Sequence, residues 1–465
     1  MSETIDLFDC VSPLDYRYYG RNKRLVRELS AFFSESAKIR FQALVEAEYA
    51  KTLADHHLIS RKMAEKIASA ALRVKPEDVY IEEEKVKHDI KALVNCICAN
   101  LGEKEKPFVH LGLTSYDTVD TANALRFKKG TEKAILPKLK ALEKSLILLA
   151  MQEKNTLQIG RTHGQFAEPI TFGFAMAEFV ERLGERIEAI EKAKENLVGK
   201  ASGAVGAYNA LLLVHSNPEA IEETLMKRLG LKSARHSTQI APREPMLDLE
   251  HAIISAFGVI ANLADDLRHL QRSEISEVSE AFGENQVGSS TMPQKRNPIT
   301  FENIKSLWKE FMPHAIVLYM DQISEHQRDL TNSASARFYQ ETFVALAIAS
   351  EKMEQTISTL QVNRKKMKEN LEIAKSSLTA EPLYVLLAKH GHPNAHEAAR
   401  RIALKAIENN STVLSEALST PALAPFIANF SKKEKNILEK PELYTGISAK
   451  KTAKVCAYWK KRLKL

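Results

Sequence analysis

One segment of the chain, Gly283–Asn297 followed by Pro298, concentrates residue types that can move protons. It reads GENQVGSSTMPQKRN and places a glycine beside two serines, with a lysine and an asparagine close behind. Gly288 and Pro293 interrupt any regular helix or strand, and serine hydroxyls can bond to their own backbone. A closed glycine-rich loop can surround an anionic oxygen with backbone N–H groups. The segment therefore suits a reactive serine, although a flexible surface loop has a similar composition.

A second polar segment, Gly160–Thr171, contains a histidine among other polar side chains. It reads GRTHGQFAEPIT and places Arg161 and His163 shortly before a predicted helix. A histidine in this position often caps a helix or packs against it. Its ordinary pKa near neutrality also suits a group that delivers a proton at physiological pH.

A third segment, His110–Ala124, offers neighbouring hydroxyl groups. It reads HLGLTSYDTVDTANA, with Thr114 and Ser115 shortly after Gly112. Hydroxyl and backbone donors together suit a bound carboxylate or phosphate. The segment is equally typical of a simple helix N-cap, for which Ser-x-x-Asp patterns are common, so both interpretations stay open at this point.

The elements that must position these segments are long helices. Apolar residues recur at intervals of three and four over unusual lengths, which predicts helices with narrow apolar stripes packed in a bundle. Pro313 predicts a kink or break in one of them. No comparable alternation predicts a sheet, so the expected fold class is all-α. The stripes comprise Met176, Val180, Leu183, Ile187 and Ile190; Ile253, Ala256, Ile260, Leu263, Leu267 and Leu270; Ile304, Leu307, Phe311 and Leu318; and Leu346, Met353, Ile357 and Leu360.

The polar segments between these helices suggest one composite site on a helical scaffold. They are spread over almost 200 residues, and no repeat or low-complexity segment separates them. We predict three domains: an N-terminal helical domain at 1–112, a central long-helix bundle at 113–365 and a C-terminal helical domain at 366–465.

Composition excludes several other classes of protein. The 465 residues are 44% hydrophobic and 27% charged, as in soluble globular proteins. The most apolar stretches are short or interrupted, the N-terminus does not resemble a signal peptide, and four cysteines do not indicate a disulfide framework. These features predict a cytoplasmic protein. The net charge of +7 fits either surface lysines or a field that attracts a polyanionic small substrate.

The three polar segments together resemble the aspartase/fumarase superfamily. Gly288–Pro298 matches every fixed position of its signature loop, GSSxMPxKxNP, and 160–169 resembles its GRTHxQxA(Q/E)P stretch. The resemblance implies that Ser289 is the general base and His163 the general acid. It also implies that Lys295 and Asn297 bind a substrate carboxylate, with Thr114 and Ser115 as further ligands.

Other positions resemble the adenylosuccinate lyase family within that superfamily. The opening SPLDYRY, the pair His88–Asp89, the run STQIAPRE and the run QRDLTNSASAR all follow its patterns. The resemblance assigns Gln239 to substrate binding, Glu302 to orienting His163, and His88 to binding or proton transfer. It also assigns a set of phosphate ligands, whose guanidinium groups suit a dianion. That set is Arg17, Tyr18, Arg328, Ser333 and Arg337, with Asp89 and His88 close to the phosphate and the reacting centre.

The resemblance implies β-elimination of fumarate from adenylosuccinate, giving AMP, and from the succinyl-carboxamide ribotide of purine synthesis (SAICAR, giving AICAR). The expected partners are nucleotide substrates, without nucleic acid or membrane, and no metal or organic cofactor is required. The superfamily also implies a homotetramer whose active sites are shared between subunits.

Three alternatives remain open from the sequence. The nearest is argininosuccinate lyase or another fumarate-releasing relative, since Gln294 is frequent at that position in argininosuccinate lyases. The phosphate ligands argue against it, because that substrate has no phosphate. A non-catalytic relative, as among lens crystallins, would not need Ser289 and His163. A basic RNA-binding helical protein would carry recognisable RNA-binding motifs, and none is present.

Overall fold

The computed structural model describes residues 6–283, 286–323, 326–328, 331–375 and 378–465. Over these residues the chain is predominantly helical with few strands, which confirms the all-α prediction. The only strands are three two-stranded pairs within the described residues. The first two helices of the chain, both short, are a 3-10 helix at Leu7–Asp9 and a π-helix at Leu14–Gly20.

The regular elements follow one another in chain order. In the first part of the chain they are α1 Lys23–Phe33, α2 Glu35–Asp55, α3 Arg61–Leu72, α4 Pro76–Val86, α5 Asp89–Cys98, α6 Ser115–Gly130, α7 Leu136–Gln152, β1 Leu157–Thr162, β2 Gln165–Thr171, α8 Phe172–Lys194, β3 Val198–Gly199, α9 Asn209–Leu212, α10 Pro218–Leu229 and β4 Lys232–Ser233. In the remainder they are α11 Glu244–Leu270, β5 Val278–Ser279, α12 Ile299–Phe311, α13 His314–Asp321, α14 Tyr339–Ser358, β6 Gln361–Val362, α15 Arg364–Ile373, α16 Ala380–Lys389, α17 Ala395–Glu408, α18 Val413–Leu418, α19 Ala424–Ala428, α20 Lys432–Glu439 and α21 Ser448–Leu463.

The chain forms two compact units, each assembled from three stretches of sequence. Unit 1 comprises Met1–Leu139, Glu185–Ile260 and Ser306–Glu351, and unit 2 comprises Lys140–Gly184, Ala261–Lys305 and Lys352–Leu465. Their boundaries fall inside helices rather than loops. The three-domain division inferred from the sequence stays a prediction.

The predicted apolar stripes form the core of the long helices. All five stripe residues of α8 are buried, and in α11 every stripe residue except Leu270 is buried. Ile304, Leu307 and Phe311 are buried in α12, which ends there, and α13 begins at His314. Pro313 lies between them, because its ring and missing N–H prevent the helix from continuing. The predicted break is therefore confirmed.

Helix α11 is the one helix among the described residues that is long and apolar enough to cross a membrane by length and composition. Of its most apolar window, 61% is buried inside the protein. This burial is typical of a core helix in a soluble protein, since a membrane-spanning helix must present apolar surface to lipid.

The last helix, α21, packs into unit 2 through Trp459. This side chain is 2% exposed, and its indole Nε1 donates a hydrogen bond to Glu181 Oε2 of α8 at 2.9 Å. Gly184, one turn further along α8, has no space for a Cβ because the indole ring occupies that position. Helix α21 therefore completes the core of unit 2 and is not a loosely attached tail.

Candidate active site

The signature loop in unit 2 is closed by bonds between its two ends. Asn297 Nδ2 donates to the Gly288 carbonyl at 3.0 Å, and a Cβ at Gly288 would overlap the Lys295 carbonyl oxygen. Glycine is therefore required at position 288 for the loop to fold back on itself. Residues 284 and 285 of the predicted segment lie outside the described residues.

Ser289 is half-buried within this closed loop. Its Oγ accepts hydrogen bonds from the backbone N–H groups of Thr291 at 3.3 Å and Met292 at 3.1 Å. Two fixed donors on one hydroxyl oxygen favour negative charge there, since they need no reorganisation when the proton leaves. The Lys295 side chain is exposed on the same loop, and Glu302 is exposed in the first turn of α12.

His163 lies in the tight turn of a β-hairpin, which the sequence interpretation had treated as an irregular segment before a helix. Strands β1 and β2 pair antiparallel from Leu157↔Thr171 to Thr162↔Gln165. His163 and Gly164 form the two-residue turn, with φ of 55° and 74°. Two consecutive positive φ values are typical of a type I′ turn, which suits the right-handed twist of a hairpin. The exposed imidazole is thereby presented at the hairpin tip.

His88 and Ser115 come together in unit 1. His88 is the N-cap of α5, where its Nδ1 accepts the backbone N–H of Lys91 at 3.3 Å. Its Nε2 lies 3.5 Å from Ser115 Oγ at the start of α6. Asp89 Oδ1 is 3.5 Å from the same imidazole. Three residues predicted to bind substrate therefore form one polar cluster.

Thr114 begins α6 with a capping box that depends on Asp117. The Thr114 backbone N–H donates to Asp117 Oδ2 at 2.8 Å, and Asp117 is 1% exposed. Asp117 also forms a buried ion pair with Lys200 and accepts the backbone N–H groups of Ser202 and Gly203. The helix-cap interpretation of this segment is thus confirmed, and binding of substrate by Thr114 and Ser115 stays a prediction.

Gln239 lies in a loop that hydrogen bonds hold in place at two points. Its backbone N–H donates to the Gln327 carbonyl at 3.2 Å, next to Arg328. The buried Asp120 accepts the backbone N–H of Ala241 at 2.9 Å and Arg243 Nη1 at 3.1 Å. The loop that carries Gln239 is therefore anchored both to α6 and to the segment that carries the predicted phosphate ligands.

A cavity of about 110 Å³ in unit 1 brings several of the predicted ligands together. Asp89, Ser333 and Arg337 all line it. Arg17 and Tyr18 do not; they lie on the π-helix Leu14–Gly20, which borders a separate cavity of about 240 Å³ in the same unit. Arg328 has a strained φ of 107°, and its Nη1 donates to the Ile323 carbonyl at 3.1 Å.

Sequence reasoning missed several polar residues that line the first cavity, among them Tyr116, Asp120 and Arg243. Burial and the nearby carboxylate of Asp120 raise the pKa of Tyr116. Burial acts to lower the pKa of Arg243, but the nearby charges of Asp120, Tyr339 and Tyr116, with the hydrogen bond to Asp120, together raise it. The buried Nε of Arg243 has no hydrogen-bond partner among the described residues. All three lie in segments singled out above, but only packing distinguishes them from neighbouring polar residues.

By unit, the sequence-predicted residues fall into two groups. Unit 1 contains Arg17, Tyr18, His88, Asp89, Thr114, Ser115, Gln239, Arg328, Ser333 and Arg337, and unit 2 contains His163, Ser289, Lys295, Asn297 and Glu302. No group of three or more His, Cys, Asp or Glu residues suited to a metal occurs in the part of the chain that the structure describes.

Solved structures with the same fold include a fumarate lyase and a muconate lactonizing enzyme. A fumarate lyase from Mesorhizobium sp. BNC1 superposes with a TM-score of 0.81 at 23% identity, covering 93% of this chain and 97% of that one. A 3-carboxy-cis,cis-muconate lactonizing enzyme from Pseudomonas putida superposes with a TM-score of 0.82 at 22% identity, covering 97% of this chain and 99% of that one. These likenesses establish the fold. The class of protein follows from a family model: residues 18–310, more than half of the chain, match the family described as lyase, which together with the signature loop identifies a member of the aspartase/fumarase superfamily.

Sequence comparison narrows this class. Residues 324–437 match the adenylosuccinate lyase C-terminal family. The adenylosuccinate lyase of Pyrococcus horikoshii is 36% identical over 454 residues, covering 96% of this chain and 98% of the relative. The adenylosuccinate lyase of Archaeoglobus fulgidus is 34% identical, covering 98% of this chain and 100% of the relative. The chain belongs to the adenylosuccinate lyase family.

Proposed function

We propose that this chain cleaves adenylosuccinate to AMP and fumarate, and SAICAR to AICAR and fumarate. The observation that carries the proposal is the pair of backbone N–H groups on Ser289 Oγ inside a loop closed between Gly288 and Asn297. The hard step of this reaction is removal of a proton from the carbon beside a carboxylate. A serine can act as the base only where its alkoxide is stabilised, and this loop supplies fixed donors for that purpose.

In the proposed reaction, Ser289 removes a proton from the CH2 carbon of the succinyl group, which is bonded to the carbon that carries the departing nitrogen. The electron pair spreads into the adjoining carboxylate, where Lys295 and Asn297 stabilise the charge, with Thr114, Ser115 and Gln239 as further donors. The C–N bond then breaks, the C=C bond of fumarate forms, and His163 protonates the nitrogen. Glu302 orients the imidazole of His163.

The phosphate of the nucleotide is bound, in this proposal, by Arg17, Tyr18, Arg328, Ser333 and Arg337. Two of these, Ser333 and Arg337, line the same cavity as Asp89, which supports their grouping. His88 acts at the reacting centre, either as a ligand or in proton transfer. We assign Arg243 no role in the chemistry.

We further propose a cytoplasmic homotetramer with active sites shared between subunits, and a three-domain chain divided at 112 and 365. The match to the lyase family model and the similarity to adenylosuccinate lyases over nearly the whole chain support this proposal. No cofactor, nucleic acid or membrane takes part in this proposal.

The second candidate is argininosuccinate lyase activity, which Gln294 favours. The test measures fumarate release by the purified protein from adenylosuccinate and from argininosuccinate in parallel, with the Ser289→Ala variant as the blank. We expect turnover of adenylosuccinate alone. Turnover of argininosuccinate alone would keep Ser289 and His163 as the reacting groups and overturn the nucleotide assignment. No fumarate release from either substrate would overturn the catalytic proposal.

A further inference from the structure

Unit 2 contains a buried carboxylate, Glu277, that takes no part in the proposed chemistry. Its side chain is 0% exposed and accepts hydrogen bonds from three different residues. Gln158 Nε2 donates at 2.8 Å, Arg161 Nη2 and Nη1 at 2.6 and 3.3 Å, and Asn370 Nδ2 at 2.9 Å. Both carboxylate oxygens are therefore saturated, and the negative charge is paired with a single guanidinium group.

The backbone of Glu277 is fixed as firmly as its side chain. Its N–H donates to the Leu270 carbonyl at 2.9 Å, and its carbonyl accepts the N–H of Asn363 at 2.9 Å. Strand β5 begins at the next residue and pairs with β6, and the signature loop follows at 283. Glu277 therefore lies at the fixed base of the segment from which the Ser289 loop extends.

The partner side chain, Arg161, belongs to the hairpin and lies two residues before His163. Its guanidinium group is placed between the Glu277 carboxylate and the ring of Phe166, with 5.5 Å to the ring centroid. The preceding residue, Gly160, marks a register shift in the hairpin, where a Cβ would approach the Glu168 carbonyl to 2.8 Å. A bulge of this kind sets the direction of the strand that follows it. The direction of the hairpin tip thus depends on Arg161 staying in place.

Loss of the Glu277 charge would remove this constraint. A glutamine has the same size, but its amide nitrogen cannot accept a hydrogen bond and would face a donor. Arg161, whose side chain is only 18% exposed, would remain as a largely buried cation without its counter-ion. The side chain would then move toward water and carry the β1 end of the turn with it.

We propose that Glu277 is a positioning residue that fixes the His163 hairpin relative to the base of the Ser289 loop. The inference rests on the proposed function only in that His163 is taken as the general acid. Glu277 touches no reacting atom; it acts through Arg161. Its loss should therefore affect the rate of the chemical step more than substrate binding.

The test is a double-mutant cycle on adenylosuccinate with Glu277→Gln, Arg161→Gln and the double variant. We expect each single variant to lose about 30-fold or more in kcat with KM within about threefold, because small misplacements of a reacting group are costly. The double variant should be no slower than the slower single variant, since both changes break one contact. Arg161→Lys keeps the charge but loses the planar fork, and should also lower kcat.

Glu153→Gln is the matched control. Glu153 is also 0% exposed, lies in the same unit and pairs with Arg364, but it does not contact Arg161. We expect it to lower the melting temperature as Glu277→Gln does while kcat stays within about threefold. Multiplicative losses in the cycle, or kcat near wild type in folded Glu277→Gln, would overturn the positioning role. If Glu277→Gln fails to fold, wild-type kcat in Arg161→Lys would overturn it.

The wild-type protein is assayed in the same series. Its inactivity on adenylosuccinate would reject the proposed function. Full wild-type activity combined with an unaffected Glu277→Gln variant would reject the positioning role alone. The two failures are therefore distinguishable.

Discussion

Ser289 differs from its neighbour Ser290 in its hydrogen bonds rather than in its chemistry. Only the Oγ of Ser289 accepts two backbone N–H groups, and Ser290 is exposed on the same loop. We expect Ser289→Ala to reduce kcat by about 10³ or more, as for a lost proton-transfer group, while the melting temperature changes little. Ser290→Ala is the control and should stay close to wild type. Steady-state fumarate release measures both, and retained turnover in Ser289→Ala would mean that another group is the base.

Arg337 is exposed at the cavity that also contains Asp89 and Ser333. If it binds the substrate phosphate, Arg337→Ala removes a charge-assisted hydrogen bond worth about 1.5–3 kcal/mol, so KM for adenylosuccinate should rise about 10- to 100-fold. Arg61→Ala, at the exposed start of α3 and outside this cavity, should leave KM unchanged. An unchanged KM in Arg337→Ala would contradict the phosphate assignment.

At the scale of single residues, the sequence indicates which side chains could react better than it indicates what those side chains contact. The serine, lysine and asparagine of the signature loop could be identified because glycine and proline isolate them from any regular element. Asp120 and Glu277 could not be identified, because an acidic residue in a helix or before a strand looks the same whether it is solvated or buried against arginine. Arg243 was visible only as one residue in a polar run.

Among the elements, the long helices were predictable and the hairpin was not. The apolar stripe of α8 repeats over several turns, and Pro313 ends α12 for a steric reason that the sequence displays directly. Strands β1 and β2 are six and seven residues long, and they contain Arg161, Gln165 and Pro169 rather than a clear alternation. The sequence offers one signal for this hairpin, the pair His163–Gly164 at its turn. Glycine readily takes the positive φ that the turn requires, but histidine does so less readily, so the pair does not predict a turn by itself.

Helix α7 carries a buried carboxyl group without a partner. Neither carboxylate oxygen of Glu143 has a hydrogen-bond partner among the described residues; burial, with a smaller effect of Glu181, raises its pKa to about 9. Between the ordinary pKa and this value the folded chain keeps a proton that the unfolded chain has released. Stability should therefore fall as pH rises, by about 1.4 kcal/mol per pH unit from this group.

The substitution Glu143→Gln should remove this loss of stability at high pH. We expect the melting temperature of the variant to exceed that of wild type by a margin that grows between pH 6 and pH 9, on the order of several degrees. Glu250, with a pKa raised to about 8 by burial, remains in both proteins and does not affect the difference. The exposed Glu132→Gln should show no such trend, and a pH-independent margin for Glu143→Gln would contradict the assignment of a neutral carboxyl group.

For the whole molecule, the proposed sharing of sites predicts complementation. Ser289 and His163 would then reach one site from different subunits, so the variants Ser289→Ala and His163→Gln should each be inactive alone. Subunits dissociated together and reassembled should regain about a quarter of wild-type activity, because that fraction of sites receives both intact groups. Mixing without dissociation is the control and should regain nothing. No recovery after reassembly would place both groups in a site built by one subunit.

The packing of the Trp459 ring against Gly184 also has a consequence for folding during synthesis in the cell. Residues 140–184 leave the ribosome long before residue 459 is made, so this face of α8 stays uncovered until then. Domains built from contiguous sequence can fold one after another as they emerge. Unit 2 cannot, because its core includes α21. A frameshift or nonsense codon shortly before residue 459 would therefore cause misfolding that cellular quality control acts on, although it leaves every proposed reacting group in place.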